Sequence, residues 1–327
     1  MITIFKQKNP GNALILLIYA LVLKFPVFLH PSLPVTKPQD GFLYRELVAW
    51  LNGFSGGSPA IFSLLSFLLL FTQASHLNKI VNDQRLFPKP NFLAGMSYLL
   101  ITSFFPEWNL FSAGLLVNSL LIWALVKMMA LYNTQSPKTQ LFNMGILVGL
   151  ASFLFFPAAA FVLLVFFALL LMRPFRFSEW VITLMGLLAP YYFLFIVLFL
   201  SGNWTPAKYL PQISIDMLRF RPSIWVAAAI SLMVIPFLAG GYFVQANLGK
   251  MLIQTRKCWS LLLLYILVST LIPFINTSQD FGNWILCTVP FAAFHAAAYF
   301  YPKTGLMPGI LHWLGFALAV YLNYFGG

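Results

Sequence analysis

The chain has 327 residues, of which 61% are hydrophobic and only 8% are Asp, Glu, Lys or Arg. Soluble domains carry about 25% charged residues. This composition therefore excludes a largely water-exposed surface and predicts a polytopic membrane protein. The net charge is +12, but the basic residues are scattered singly between apolar runs. That scatter excludes a nucleic-acid-binding patch, and we expect no nucleic-acid partner.

Apolar runs recur along the whole chain, each near the roughly 17 to 20 residues that cross a bilayer. They predict an all-α, polytopic transmembrane helix bundle that forms a single membrane domain over residues 1–327. The first run continues into Lys24-Phe25-Pro26 without a small-residue cleavage site, so we interpret it as a retained span. About eleven spans are predicted, near residues 12–29, 59–74, 92–106, 110–130, 142–156, 158–172, 180–200, 224–245, 260–275, 284–300 and 308–325.

The number of spans depends on residues 141–172, an uncharged run that is long for one span and short for two. Pro157 lies at its middle and favours a break, because proline removes a helix hydrogen bond. With a break and a cytoplasmic N-terminus, 13 of the 19 Lys and Arg residues lie on the cytoplasmic side, whereas one unbroken span splits them 10 to 9. The positive-inside rule therefore favours two short helices.

The first predicted outer loop, residues 30–58, gathers Asp40, Arg45 and Glu46 between two long apolar runs. Asp40 is placed to cap a helix. An apolar stripe at helical spacing follows it: Leu43, Leu47, Trp50, Leu51 and Phe54. This pattern predicts an amphipathic helix that lies flat in the membrane surface. The alternative is an interfacial connector with a capping Asp and a solvated Arg-Glu pair.

Two sets of basic residues stand out. Lys24 lies inside the first span, toward its outer end, where a cation is costly and marks a candidate functional residue. Its amine either snorkels to the interface or meets a lipid phosphate there. Arg219 and Arg221 lie in the outer loop 201–222, on a side normally poor in positive charge. They indicate either a bound anion such as phosphate, which the arginine fork fits, or a solvated loop.

The acidic residues are also unevenly placed. Five of the seven fall on the predicted outer side: Asp40, Glu46, Glu107, Asp216 and Asp280. Translocated loops avoid Lys and Arg, and this avoidance can produce the same bias. Glu107 lies in a short turn, where it either faces the same vestibule as Asp40 or is a simple turn carboxylate. The sequence has no phosphate-binding glycine loop, nucleophile elbow or zinc motif, so we expect no metal and no cofactor.

Several stretches carry a resemblance: HLNKIVNDQRL, SYLLITSFFPEW, LFNMGILVGLASFLFFP, RPFRFSEW and the PYY of the seventh span. Together they resemble an uncharacterised family of bacterial polytopic inner-membrane proteins. The resemblance implies a multi-pass protein of the bacterial inner membrane, and the charge distribution places its N-terminus in the cytoplasm.

More distantly, the layout of roughly the first 200 residues is similar to the GT-C class of integral-membrane glycosyltransferases. These enzymes carry an acid early in the first outer loop, then an interfacial helix. The resemblance implies a polyprenyl-phosphate-linked sugar donor at the outer face, in cell-envelope glycan assembly. It carries over Asp40 as the catalytic base and Glu107 as a second carboxylate. The expected substrate-binding residues are Lys24, Arg45, Glu46, Arg219 and Arg221.

Two other functions remain open. One is a non-catalytic subunit or scaffold that binds membrane-protein partners, and the other is a lipid or small-molecule transporter. A transporter normally has charges or broken helices near the midplane, and these spans are nearly free of charge. An enzyme is expected to gather Asp40, Glu107 and the outer arginines around one cavity, whereas a scaffold scatters them around the rim.

Overall fold

The computed structural model describes residues 1–7, 9–202, 223–275 and 281–325. Over these ranges the chain forms α-helices joined by turns and 3₁₀ helices, with no β-strand, which confirms the all-α prediction. The helices are α1 Ile2–Phe5, α2 Gly11–Lys24, α3 Pro26–Leu29, α4 Phe42–Ser55, α5 Pro59–Asp83, α6 Leu93–Ile101, α7 Ala113–Ala130, α8 Lys138–Leu154, α9 Val162–Met172, α10 Phe177–Leu200, α11 Ile224–Asn247, α12 Ile253–Leu271, α13 Thr288–Phe300 and α14 Leu306–Tyr324.

Six helical segments in the described part of the chain are long and apolar enough to cross a membrane. They are Pro59–Asp83, Ala113–Asn133, Phe177–Leu200, Ile224–Lys250, Ile253–Phe274 and Leu306–Tyr324. The protein is therefore of the membrane type, as the composition predicts.

The prediction of about eleven spans is not supported. Each predicted span contains a helix, but several of these helices are too short to cross a bilayer. The nine residues of α6 extend over about 14 Å, roughly half of the 30 Å hydrocarbon core. The sequence-based count treated every apolar run as a span without regard to helix length.

The short helices α6 and α13 lie in the interior. Every residue of α6 is buried, as are 11 of the 13 residues of α13, and the two helices pack against each other. The long helices α5 and α11 cover them from outside. Lipid tails are as apolar as a protein interior, so an apolar run does not indicate which of the two it will face.

Close helix packing depends on glycine where backbones touch. A Cβ on Gly145 of α8 would lie 2.5 Å from the carbonyl oxygen of Thr183 in α10, and one on Gly186 would lie 2.3 Å from that of Phe142. Neither distance is sterically possible, so the α8–α10 interface requires glycine at both positions. Small residues of this kind let helices approach closely in membranes, where no hydrophobic force drives them together.

The predicted break at Pro157 is confirmed. Helix α8 ends at Leu154, Phe155 is extended, and a 3₁₀ helix, Phe156–Phe161, leads into α9. A helix end leaves backbone groups without hydrogen-bond partners. Here the first loop supplies partners for two of these groups. The N–H of Gly41 donates to the carbonyl of Leu154 at 2.9 Å, and the N–H of Phe156 donates to the carbonyl of Gln39 at 3.2 Å. The loop is thereby fastened to the break.

Helix α4 is the amphipathic helix that the sequence predicts, but its cap and its buried face differ from the expectation. The N-cap is Gly41 and not Asp40. Glycine is required at this position, because a Cβ at Gly41 would lie 1.8 Å from the carbonyl oxygen of Phe153. Tyr44 and Val48 are buried, whereas Trp50 and Phe54 are exposed and stack at 5.9 Å. The outward apolar face suits a membrane surface.

Candidate functional site

Four segments that are distant in sequence meet through side-chain hydrogen bonds. We call them the loop cluster: residues 37–44, 102–111, 281–288 and 319–324. Tyr44 Oη donates to the carbonyl of Phe111 at 3.3 Å, which joins α4 to the second segment. The side chain of Asn109 donates to Asn323 Oδ1 at 2.7 Å, which joins the second segment to the end of α14.

The segment Phe281–Asn283 connects the two predicted catalytic acids. The side chain of Gln39, next to Asp40, donates to Asn283 Oδ1 at 3.0 Å. The N–H of Phe281 donates to the Glu107 carboxylate at 2.9 Å. Its carbonyl accepts the indole N–H of Trp108 at 2.7 Å. The Asp40 loop and the Glu107 turn therefore dock on the same three residues, which places both acids in the loop cluster.

Asp40 is a sheltered carboxylate, with only 8% of its surface exposed. Its Oδ2 accepts the backbone N–H of Lys37 at 2.6 Å, which closes a tight turn at residues 37–40. Burial raises the pKa of Tyr44 above its ordinary value, and the negative charge of Asp40 raises it further.

Lys24 is buried beneath the turn that carries Glu107. Its Nζ donates to Asn109 Oδ1 at 2.5 Å and to Thr102 Oγ1 at 2.9 Å, and only 1% of the residue is exposed. The amine is therefore held inside the protein and does not snorkel to a surface. Both of these partners are neutral, an unusual setting for a lysine within an apolar bundle. Its contact with a lipid phosphate stays a prediction.

The remaining predicted site residues are placed differently. Arg45 is exposed and donates to the carbonyl of Pro38 at 3.0 Å, which ties α4 to the preceding turn. Glu46 is exposed on the same helix. Arg219 and Arg221 lie outside the described residues. Their convergence with Asp40 therefore stays a prediction.

The neutral polar residues that build the site were not predicted from the sequence. Asn109, Thr102, Gln39 and Asn283 make the connecting hydrogen bonds. Two signals were available, because Asn109 lies two residues after Glu107 and Gln39 directly precedes Asp40. The prediction of site residues considered only charged side chains, so Asn109 and Gln39 were not included.

A buried polar chain in the bundle was also missed. Tyr98 Oη donates to Gln73 Oε1 at 2.6 Å, and the side chain of Asn118 donates to Tyr98 Oη at 3.3 Å and to the carbonyl of Ile285 at 3.0 Å. The amides Gln73 and Asn118 lie within predicted membrane spans, a visible signal for internal hydrogen bonding. The chain connects α5, α6 and α7 to the loop cluster.

These observations define an all-helical membrane protein with a polar cluster of interlocked loops. In the described ranges, no group of three or more His, Cys, Asp and Glu side chains could hold a metal ion. The chain belongs to DUF6427, a family of unknown function whose profile matches residues 46–324. Lys24, Asp40 and Arg45 precede the matched range. No curated protein and no solved structure matches the chain.

Proposed function

We propose that this protein is a GT-C-like glycosyltransferase of the bacterial inner membrane, with its N-terminus in the cytoplasm and the loop cluster at the outer face. It transfers a sugar from a polyprenyl-phosphate donor to a cell-envelope acceptor. The observation that carries the proposal is the sheltered Asp40 carboxylate, which shares a docking segment with the Glu107 turn and directly precedes a membrane-surface helix.

The chemistry assigns Asp40 the role of general base. It takes the proton from an acceptor hydroxyl as that oxygen attacks the anomeric carbon and the bond from this carbon to the phosphate oxygen breaks. The polyprenyl phosphate leaves as an anion, so cations near it stabilise the transition state. Lys24, Arg45, Arg219 and Arg221 are the candidates for this role, and Glu46 and Glu107 are candidates for contacts with the sugar hydroxyls.

The exposed aromatic face of α4 supports a lipid-borne donor. Trp50 is 65% exposed and Phe54 78% exposed, and both lie on the helix that begins two residues after Asp40. Apolar rings at a membrane surface bury themselves in the boundary between headgroups and acyl chains. A prenyl chain in that boundary would reach the protein beside the proposed base.

The test is complementation of a deletion strain with the wild-type gene, Asp40→Asn and Asp83→Asn. Asp83 is an exposed acid at the far end of α5, so its substitution is the matched control. We expect the deletion to accumulate polyprenyl-phosphate sugar in lipid extracts, measured by mass spectrometry. Asp40→Asn should fail to restore turnover, because general-base catalysis contributes about 10²- to 10⁴-fold, while Asp83→Asn should restore it.

The asparagine variant keeps an oxygen that can accept the Lys37 N–H, so the turn at residues 37–40 should survive. Its thermal unfolding in detergent should match that of the wild type. Full turnover with Asp40→Asn would exclude the proposed base. A deletion strain with normal lipid-linked sugars would exclude the glycosyltransferase and favour the scaffold function.

A further inference from the structure

A second surface of the molecule combines apolar grooves with basic side chains. Two cavities, of about 530 and 520 Å³, lie along α5, α7 and α8, and both are lined by His76 and Trp123. The indole N–H of Trp123 donates to His76 Nδ1 at 2.9 Å. This pair forms a ridge between two halves of one surface, which we call the ridge groove. Lys79 lines one half and Lys127 lines the other.

The register of the helices places the two lysines at the same level. Gln73 bonds to Ser119, 46 residues on, and His76 bonds to Trp123, 47 residues on. The nearly constant separation means that α5 and α7 run in the same direction. Lys79 is therefore level with residues 125–126, next to Lys127. Lys79 follows His76 by three positions and Lys127 follows Trp123 by four, so each lies one turn beyond the ridge on the same face.

The charges that line the groove are one-sided, and Asp83, one turn beyond Lys79 at the end of α5, lies outside both linings. Among the described residues that line the two cavities there is no Asp or Glu. Two ammonium groups at one level, without a lining carboxylate, favour an anion between them. Both lysines lie within the last turns of α5 and α7, the depth at which lipid headgroups meet a spanning helix.

Most of the remaining groove surface is apolar, and the groove continues toward the middle of the helices. Leu69 and Phe71 line one half, and Ile146 and Leu147 line the other. Trp123 is 48% exposed on the ridge between them. Both α5 and α7 belong to segments long and apolar enough to cross a membrane. An occupant with an anionic head and a long apolar tail fits both features, whereas a free phosphate would use only the first.

We propose that the ridge groove binds an anionic phospholipid, with its phosphate between Lys79 and Lys127 and an acyl chain along Trp123. The site is independent of the proposed glycosyl transfer. It lies toward the Asp83 end of α5, whereas α4 and the Asp40 loop precede the Pro59 end.

The test uses the full-length protein in detergent, with added phosphatidylglycerol or phosphatidylcholine and retained lipid measured by native mass spectrometry. Each lysine near an anionic headgroup contributes about fivefold in affinity, so we expect the wild type to prefer phosphatidylglycerol by roughly 30-fold. The double variant Lys79→Gln/Lys127→Gln should lose this preference. Lys79 is exposed and Lys127 half-buried, so the substitutions leave the packing intact.

The matched control is Lys89→Gln/Lys138→Gln, which removes the same total charge from exposed positions outside both cavities. It should keep the wild-type preference. If both double variants lost the preference for phosphatidylglycerol to the same extent, binding would be due to diffuse surface charge, and the proposal of a specific site would be overturned. Competition by inorganic phosphate as effective as by phosphatidylglycerol would overturn the lipid as occupant. A preference retained in Lys79→Gln/Lys127→Gln would overturn the role of both lysines.

Discussion

Lys24 and Asn109 are 85 positions apart in the chain, and a hydrogen bond of 2.5 Å joins Nζ of the lysine to Oδ1 of the amide. Both residues are buried. Asn109 in turn donates to Asn323, whose side chain donates to the carbonyl of Ser103 at 2.6 Å. The Lys24 ammonium group therefore joins α2 to the second segment of the loop cluster through neutral partners. The hydrogen bond from Asn109 to Asn323 extends this connection to the end of α14.

We expect Asn109→Leu to destabilise the protein. It removes one of two neutral acceptors from a buried ammonium group, and a hydrogen bond to a charged group contributes about 1.5–3 kcal/mol. Lys24→Met should be far milder, because it removes the buried charge together with its need for partners. Thermal unfolding of the purified protein in detergent measures both effects.

The double variant Lys24→Met/Asn109→Leu provides the control for this pair. Coupled residues give non-additive changes in the free energy of unfolding. The double variant should therefore be more stable than Asn109→Leu alone. Losses that simply add would show that Asn109 acts through Asn323 and not through Lys24.

The sequence predicted helix positions well and helix environments poorly. The apolar runs, the amphipathic spacing after Asp40 and the break at Pro157 all depend on local chemistry, and each has its counterpart in α4, α8 and α9. Burial of α6 and α13 depends on which neighbours they meet. Their apolar sequences suit lipid and protein equally, so the lengths of the apolar runs do not determine the number of spans.

In the candidate site, too, the sequence predicted local features but not tertiary neighbours. The sequence placed Asp40 and Glu107 in loops, but the Phe281–Asn283 segment that connects them lies more than 170 residues beyond Glu107. Lys24 could be identified as unusual, yet its partners Thr102 and Asn109 follow only from the tertiary fold. The need for glycine at position 41 also has a non-local cause, the backbone of Phe153.

We expect Gly41→Ala to displace the first loop from the break after α8. The added methyl group would lie 1.8 Å from the carbonyl oxygen of Phe153, and overpacking of this kind costs about 1–3 kcal/mol or more. Limited trypsin digestion should then cut faster after Arg45, four residues beyond the glycine.

Gly53→Ala is the matched substitution in the same helix, α4. No atom lies within 4 Å of a Cβ at this position. Alanine should stabilise the helix there by roughly 0.5–1 kcal/mol. Similar cleavage rates in both variants would show that the contact between Gly41 and Phe153 does not hold the loop in place.

Arg85→Gly should stabilise the protein. Arg85 follows the end of α5 in the left-handed region, with φ of 51°, and Leu86 N–H donates back to the carbonyl of Val81 at 3.0 Å. Glycine is the usual residue at this position of a helix end, and relief of the left-handed strain is worth about 1 kcal/mol. Gln84→Gly, at φ of −83°, should do the opposite, because it loosens the unfolded chain and removes the side-chain oxygen that accepts from Gln254 at 2.8 Å. The two melting temperatures should move in opposite directions.

The ion pair between Arg173 and Glu179 should resist salt. Its Nε–Oε2 distance is 2.8 Å, and the two side chains are 11% and 7% exposed. Arg173 also donates to the carbonyl of Thr134 at 2.7 Å, so it joins the α7–α8 connection to the start of α10.

Glu179→Gln leaves the Arg173 guanidinium without its countercharge and should lower the free energy of unfolding by about 3 kcal/mol. Arg176→Gln, at an exposed position, should change it by less than about 0.5 kcal/mol. Because burial limits screening, the difference between the two variants should persist when the salt concentration is raised in thermal unfolding measurements. A difference that vanishes in high salt would mean that the pair is open to solvent and contributes only as a surface ion pair.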